Sequence, residues 1–250
     1  MAKRHPFRKK WGQNFLRDPN SIAKIVNIIE PEKEDIVLEI GPGDGALTDI
    51  MCHKVGHIHA VEIDPLLIEC LNNKNYDNVT IHNSDILEWD LSNIPKDVKI
   101  IGNLPYYISS PILFKFLEMM NYQKMVFMFQ RELADRIISK EGSKMYGRIS
   151  VMCQVYCDVK IEFNVSRNVF QPKPDVDSSV LSFYPKKLSL PDPNIFSEFI
   201  KQAFSQRRKK LKNNLPVAYQ KGLIDKFSDL RPEAISPSEY LNIYEMIYIV

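Results

Sequence analysis

Ile36-Val37-Leu38-Glu39-Ile40-Gly41-Pro42-Gly43-Asp44-Gly45 is the stretch on which the reading of the fold turns. A short apolar run passes straight into three glycines, each separated by one residue. Near-continuous apolar character, without polar alternation, is what a parallel strand covered on both faces requires. The glycines, Gly41 and Gly43 above all, make a turn where the backbone can approach a ligand closely. A helix follows, with Leu47, Ile50 and Met51 on one face. Strand, glycine turn and helix together open a doubly wound α/β sheet.

Working outward, the same alternation continues. Upstream, Asp18-Pro19 reads as an N-cap and first helical position, with Ile22, Ile25, Val26 and Ile29 inward and Pro31 ending the helix. Downstream, His57 to Ile63 is a second strand ending in Glu62-Ile63-Asp64, and Pro65 opens the next helix. Val79 to His82 is a third strand, followed by Ser84-Asp85-Ile86. A strand through Val98, Ile100 and Ile101 ends in Asn103-Leu104-Pro105-Tyr106. Ser110 then caps a helix with Pro111 at its first position. Met125 to Phe129 is a fifth strand, and Arg131 to Ser139 a helix. Val159 to Val165 and Val176 to Tyr184 carry dense β-formers around a Pro-rich loop, which predicts a terminal antiparallel pair. Pro185 to Pro193 is a Pro-rich linker. Beyond it, Asp192-Pro193 caps a helix through Phe204, Gln206 to Leu215 continues as a basic helix, and Ser236-Pro237-Ser238-Glu239 is a capping box for a helix through Ile249. The boundary is set near Lys187, giving a sheet domain at 1–187 with a basic N-terminal arm and a small helical domain at 188–250.

Composition limits the possibilities. The chain has 250 residues, 44% hydrophobic and 26% charged, as a soluble globular protein does. No apolar run reaches about 18 residues, so no membrane span is expected. The basic N-terminus has no apolar segment behind it, which argues against a signal peptide and for the cytoplasm. Cys52, Cys70, Cys153 and Cys157 lack zinc-type spacing and read as small buried hydrophobes. The five His residues form no metal-ligand pattern, and no metal is expected. The net charge is only +2, so a nucleic-acid footprint has to be local. Met1 to Arg17 carries Lys3, Arg4, Arg8, Lys9, Lys10 and Arg17 without an acid, interleaved with Phe7, Trp11 and Phe15. Lys201 to Lys212, with Arg207, Arg208, Lys209 and Lys210 at its centre, is also acid-free. Such runs are either solvated faces or phosphate-binding surfaces.

The acids supply the chemistry. Glu62 lies about twenty residues past the glycine turn, at a strand end where a carboxylate binds both ribose hydroxyls. Asp85 ends the third strand, placed to accept from an adenine amino group. Each acid alone could be an ordinary loop residue. Three successive strand ends holding amino acid, ribose and adenine describe S-adenosyl-L-methionine, and the turn lacks the Gly-x-Gly-x-x-Gly spacing for a pyrophosphate. At the fourth strand end, the Asn103 amide and neighbouring carbonyls can accept from an exocyclic amine, Pro105 stiffens the turn, and Tyr106 can stack on a base. The alternative for this tetrapeptide is a Pro turn whose Asn satisfies its own backbone.

Taken together the motifs resemble one family, the bacterial 16S ribosomal RNA adenine dimethyltransferases, over nearly the whole chain. They are Gly12-Gln13-Asn14-Phe15-Leu16, Glu39 to Gly45, Val61-Glu62-Ile63-Asp64, Asn103 to Tyr106, Phe170-Gln171-Pro172-Lys173-Pro174-Asp175-Val176-Asp177-Ser178, Gly142 to Arg148, and Phe204-Ser205-Gln206-Arg207-Arg208-Lys209. The last two separate it from the antibiotic-resistance large-subunit methylases. The resemblance implies a Rossmann-like class I methyltransferase with a seven-stranded, mostly parallel sheet, an antiparallel terminal strand and a small C-terminal helical, RNA-binding domain. It implies cofactor contacts at Asn14, Leu16, Gly41, Glu62, Asp85 and Asn103. The Asn103 oxygen and Leu104 carbonyl would hold the adenine amine, with Tyr106 and Phe170 sandwiching the base. It further implies dimethylation of two adjacent adenosines in a 3′-terminal hairpin of 16S rRNA, within an immature small subunit, by a monomer. Tyr107 varies in the family and carries no catalytic role here. Two rival classes are a nucleic-acid-binding protein that lost catalysis, opposed by the intact Asn103 and Glu62 motifs, and a small-molecule or protein methyltransferase, opposed by the basic runs.

Overall fold

The computed structural model describes residues 13–119, 121–186, 193–217 and 225–248. The arm before Gln13, most of the Pro-rich linker including Lys187 and Asp192, and the chain end at Ile249 lie outside the described residues. In chain order the elements are β1 (Phe15–Leu16), α1 (Pro19–Ile28), β2 (Ile36–Ile40), α2 (Thr48–Met51), β3 (His57–Glu62), α3 (Pro65–Asn72), β4 (Val79–Asn83), β5 (Val98–Asn103), α4 (Ser109–Met119), β6 (Tyr122–Gln130), α5 (Arg131–Ile138), α6 (Arg148–Tyr156), β7 (Cys157–Val165), β8 (Phe170–Gln171) and β9 (Ser178–Pro185). Helices α7 (Pro193–Ala203), α8 (Leu211–Asn214), α9 (Asp225–Ser228) and α10 (Pro237–Tyr248) follow.

The seven-stranded sheet runs β4-β3-β2-β5-β6-β9-β7. The first five are parallel, and β9 pairs antiparallel with β6. The glycine-turn strand β2 therefore sits centrally, as its near-continuous apolar character required: Val37 and Leu38 are fully buried. Chain order reverses between β2 and β5, and open α/β sheets bind ligands outside the strand carboxyl ends at such a point. A separate two-stranded ribbon, β1 with β8, pairs Leu16 with Phe170; the sequence reading did not foresee it.

Helix starts follow local chemistry. Asp18 accepts from the Ser21 N–H at 2.9 Å and Asp64 from the Leu66 N–H at 3.1 Å, each ahead of a Pro at the first position. The helix expected from Pro111 begins two residues earlier, at Ser109, whose hydroxyl donates to the Tyr106 carbonyl at 3.0 Å. Cys70 is exposed, unlike the buried Cys153 and Cys157.

The chain forms two compact units, but not by one cut near Lys187. One comprises Met1–Ala134 with Lys160–Tyr184, the other Asp135–Val159 with Pro185–Val250. The difference comes from α6, which is buried on all sides and packs against α7 and α10. Phe196, Phe199, Tyr240 and Tyr244 form the aromatic centre of this second unit. Its basic run is also not a continuous helix. Residues 204–209 are turns, because Asn214 Nδ2 occupies the carbonyls of Ala203 at 2.6 Å and Gln206 at 3.1 Å, where the helix would have continued. The capping box holds: Ser236 N–H donates to Glu239 Oε2 at 3.0 Å, and Glu239 N–H to the Ser236 hydroxyl at 3.3 Å.

Candidate active site

One cleft lies at the carboxyl ends of β2, β3, β4 and β5, and Asn14, Leu16, Gly41, Gly43, Glu62, Asp85, Asn103, Leu104, Pro105 and Tyr106 all line it. The glycine turn builds its floor. Gly41, Gly43 and Gly45 have φ of +63°, +62° and +90°, a region that costs a side-chain-bearing residue about 1–2 kcal/mol. A Cβ on Gly43 would stand 3.1 Å from the Phe15 ring, whereas one on Gly41 would meet no atom within 4 Å and would project into open space. The turn is thus closed on one side by the Phe15 ring and open at Gly41.

Glu62 is buried and already organised. Oε1 accepts the Ile63 and Asp64 N–H groups, both at 2.9 Å, and Oε2 accepts the Gly43 N–H at 3.1 Å. Burial pushes this carboxyl above its usual range, and the three amides work against that shift. A carboxylate has roughly four lone-pair sites, so acceptor capacity remains for hydroxyl donors. Asp85 Oδ1 accepts the Leu87 N–H at 2.9 Å, which fixes the acid at the head of the turn after β4. Beneath the glycine turn, Glu39 accepts from the Thr48 hydroxyl at 2.7 Å, and burial pushes its carboxyl up to about 7.

Asn103 is the last residue of β5. Its Nδ2 donates to the Asn14 carbonyl at 2.9 Å, which ties the tetrapeptide to the residue before β1. Using the amide nitrogen this way leaves Oδ1 as the end that receives a donor. The Tyr106 hydroxyl bonds Ser178 Oγ at 2.6 Å, holding the ring from its far end. The partners of Asn103 and Tyr106 are a carbonyl and a hydroxyl, neither of them a base at neutral pH.

Phe170 and the four cations at the centre of the basic run are not among the residues that line this cleft. Phe170 is 5% exposed and packs in the core with Leu16, Met128, Val165 and Val180. The β1–β8 register sets Phe170 opposite Leu16, so the two side chains share one face and pack in one core, while Leu16 also lines the cleft. The basic turn lies in the second compact unit. There Arg207 donates to the carbonyls of Ser143 at 3.2 Å and Tyr146 at 3.0 Å, and Lys210 pairs with Asp229 at 3.2 Å. Arg208 and Lys209 are exposed and enter none of the ion pairs among the described residues. The sequence reading missed Ser178, which anchors Tyr106, and Gln13, which bonds Asp64 at 2.9 Å beside the cleft. Among the described residues, no group of His, Cys, Asp or Glu has metal-binding geometry, and no helix is long and apolar enough to cross a membrane.

A mostly parallel seven-stranded sheet with a glycine-floored cleft at its switch point, lined by Glu62, Asp85 and Asn103, is that of a class I, S-adenosyl-L-methionine-dependent methyltransferase. The family model for ribosomal RNA adenine dimethylase matches residues 4–248, and the chain belongs to that family. It is 41% identical to the ribosomal RNA small subunit methyltransferase A of Francisella tularensis subsp. novicida, covering 94% of this chain and 95% of that one. The protein of the same name from Mycoplasma capricolum is 37% identical, covering 97% and 98%. The fold of this chain is shared with a solved dimethyladenosine transferase from Plasmodium falciparum, at TM-score 0.79 and 24% identity over 92% of this chain and 95% of that one. A solved 23S rRNA methyltransferase, ErmE, gives TM-score 0.69 at 24% identity over 93% and 99%.

Proposed function

We propose that this chain dimethylates N6 of two adjacent adenosines in a 3′-terminal hairpin of 16S rRNA, acting on the immature small ribosomal subunit in the cytoplasm as a monomer. The observation that carries the reading is the Asn103 amide, fixed by its nitrogen to Asn14 with its oxygen left as an acceptor beside Tyr106. The names of the relatives support the small subunit as the source of the RNA.

The cofactor, when bound, supplies an activated methyl on a sulfonium. Glu62 would hold the ribose, Asp85 the adenine amine, and Gly41, Gly43, Asn14 and Leu16 the remaining contacts. The N6 lone pair of the target is delocalised into its ring and is a weak nucleophile. Accepting from N6 at Asn103 Oδ1 and the Leu104 carbonyl favours a pyramidal nitrogen with its lone pair released. Pro105 keeps these acceptors in one frame, so orientation is fixed before reaction. Tyr106 gives the extruded base a π-face, worth about 1–3 kcal/mol. Phe170 packs in the core with its cross-strand partner Leu16, and its part in this reading is to support that lining residue. Arg208 and Lys209, exposed on their turn and outside the ion pairs among the described residues, would meet RNA phosphates, with Arg207 and Lys210 shaping that turn.

Labelled methyl transfer to immature small subunits lacking the modification tests the reading. Two dimethylated adenosines per subunit are expected. Labelling confined to other nucleotides would overturn the substrate assignment.

A further inference from the structure

Lys115 on α4 has no part in the chemistry above, yet its ammonium is fully engaged. It donates to the carbonyls of Ile86 at 2.8 Å, Leu87 at 3.0 Å and Trp89 at 2.7 Å. An ammonium has three donors, and each finds a carbonyl. All three carbonyls belong to the turn that begins at Asp85. In that turn the Asp85 carbonyl accepts the Glu88 and Trp89 N–H groups at 3.0 and 2.8 Å, while Asp85 Oδ1 caps the Leu87 N–H.

An isolated helical turn is not stable by itself, and its last carbonyls are orphans. Here the Asp85 side chain satisfies the head and Lys115 the tail. Ile86 and Trp89 are buried beneath the turn, so it has no freedom to seek water instead. Burial lowers the ammonium's pKa, while Asp85 and Asp90 hold it up. Lys115 does not line the cleft, whereas Ile112, one helical turn earlier, does. The helix that starts just after the Asn103 tetrapeptide thus carries the clamp on the adenine-end turn.

We infer that Lys115 is a positioning residue: it fixes the Asp85 carboxylate against the cofactor's adenine amino group and thereby sets the site's preference for adenine over hypoxanthine. This rests on the reading of Asp85 as the adenine-end acceptor. Hypoxanthine replaces the amine by a carbonyl, and two acceptors facing one another are disfavoured. A loosely held Asp85 could turn away from that carbonyl, and the preference would fade.

The test is calorimetric binding of S-adenosyl-L-homocysteine and of its inosine analogue to the whole protein. A ratio of two affinities in one preparation does not depend on the fraction folded. We expect the parent to favour the adenine ligand by about tenfold or more, as when a buried acceptor loses its donor. Lys115→Met should bring the ratio to within about threefold, and Lys115→Arg, which keeps donors and charge, should stay near the parent. Lys115→Gln serves in place of the Met variant should that one not fold. An unchanged ratio in the Met or Gln variant, with Asp85→Ala abolishing the preference, overturns the role of Lys115 and leaves the adenine-end assignment standing. A ratio untouched by Asp85→Ala overturns both.

Discussion

The two ends of the Asn103 amide are assigned different work, and substitutions separate them. Asn103→Ala removes an acceptor that matters most as N6 becomes pyramidal, so kcat should fall by about two to three orders of magnitude, as for loss of one preorganised polar contact. Cofactor affinity should drop less, through loosening of Asn14. Single-turnover transfer with saturating cofactor and RNA reads this directly, and near-parental rates would make the tetrapeptide only a turn. Tyr106→Phe keeps the π-face and loses the Ser178 bond, so transfer should survive, whereas Tyr106→Ala should not. Phe170→Ala is expected to act on the fold, at about 3–5 kcal/mol of stability. Glu62→Ala should weaken cofactor binding at least tenfold, about 1.4 kcal/mol, in a calorimetric titration. The places of Glu62, Asp85 and Asn103 at the cleft were legible because Glu62 and Asn103 end strands and Asp85 follows one by two residues, and strand ends can be read from hydrophobic runs. Phe170 was not, because its burial depends on pairing β8 with β1, far away in the chain.

At the scale of elements, the glycine turn and the basic turn differ in how much the chain announces them. Three glycines after an apolar run admit left-handed conformations that other residues disfavour, and Gly41, Gly43 and Gly45 all adopt positive φ. The basic run carries good helix formers, yet it breaks because Asn214 captures the end of α7 and Arg207 caps carbonyls near Tyr146. Those contacts are tertiary and override propensity. They also redistribute the roles of the cations. Neutralising Arg208 and Lys209 together should lower the slope of log affinity against log salt by about one to two for RNA, with cofactor affinity unchanged. Neutralising Arg207 should instead lower thermal stability. Equal salt slopes in parent and Arg208/Lys209 variant would reduce the turn to a solvated surface.

For the molecule as a whole, the alternation of strands and helices settled the parallel sheet, while α6 shows what alternation cannot tell. A helix buried all round carries no directional face, so nothing local says that Arg148 to Tyr156 joins the C-terminal helices. Burial of ionisable groups is likewise a property of the assembled fold, and it sets the pH dependence of stability. Glu39 has a folded pKa of about 7 against a usual 4.5, so the folded state holds its proton longer than the unfolded chain. Its contribution is therefore complete below about pH 4.5 and is lost as pH rises through 7. His59 and His82, bonded ring to ring at 3.1 Å, are shifted the other way, downward by burial, and their contribution is lost as pH falls below 6.5. The two effects overlap, so parent stability alone cannot separate them. Glu39→Gln does, since the amide stays neutral at every pH and the histidines are common to both proteins. The variant's stability relative to the parent should rise between pH 5 and 8.5, by an amount on the order of 3 kcal/mol. Urea unfolding at pH 5, 7 and 8.5 measures it. A difference that stays flat across that range would mean that Glu39 keeps the same protonation state folded and unfolded, and that the floor of the cleft is wetter than its burial indicates.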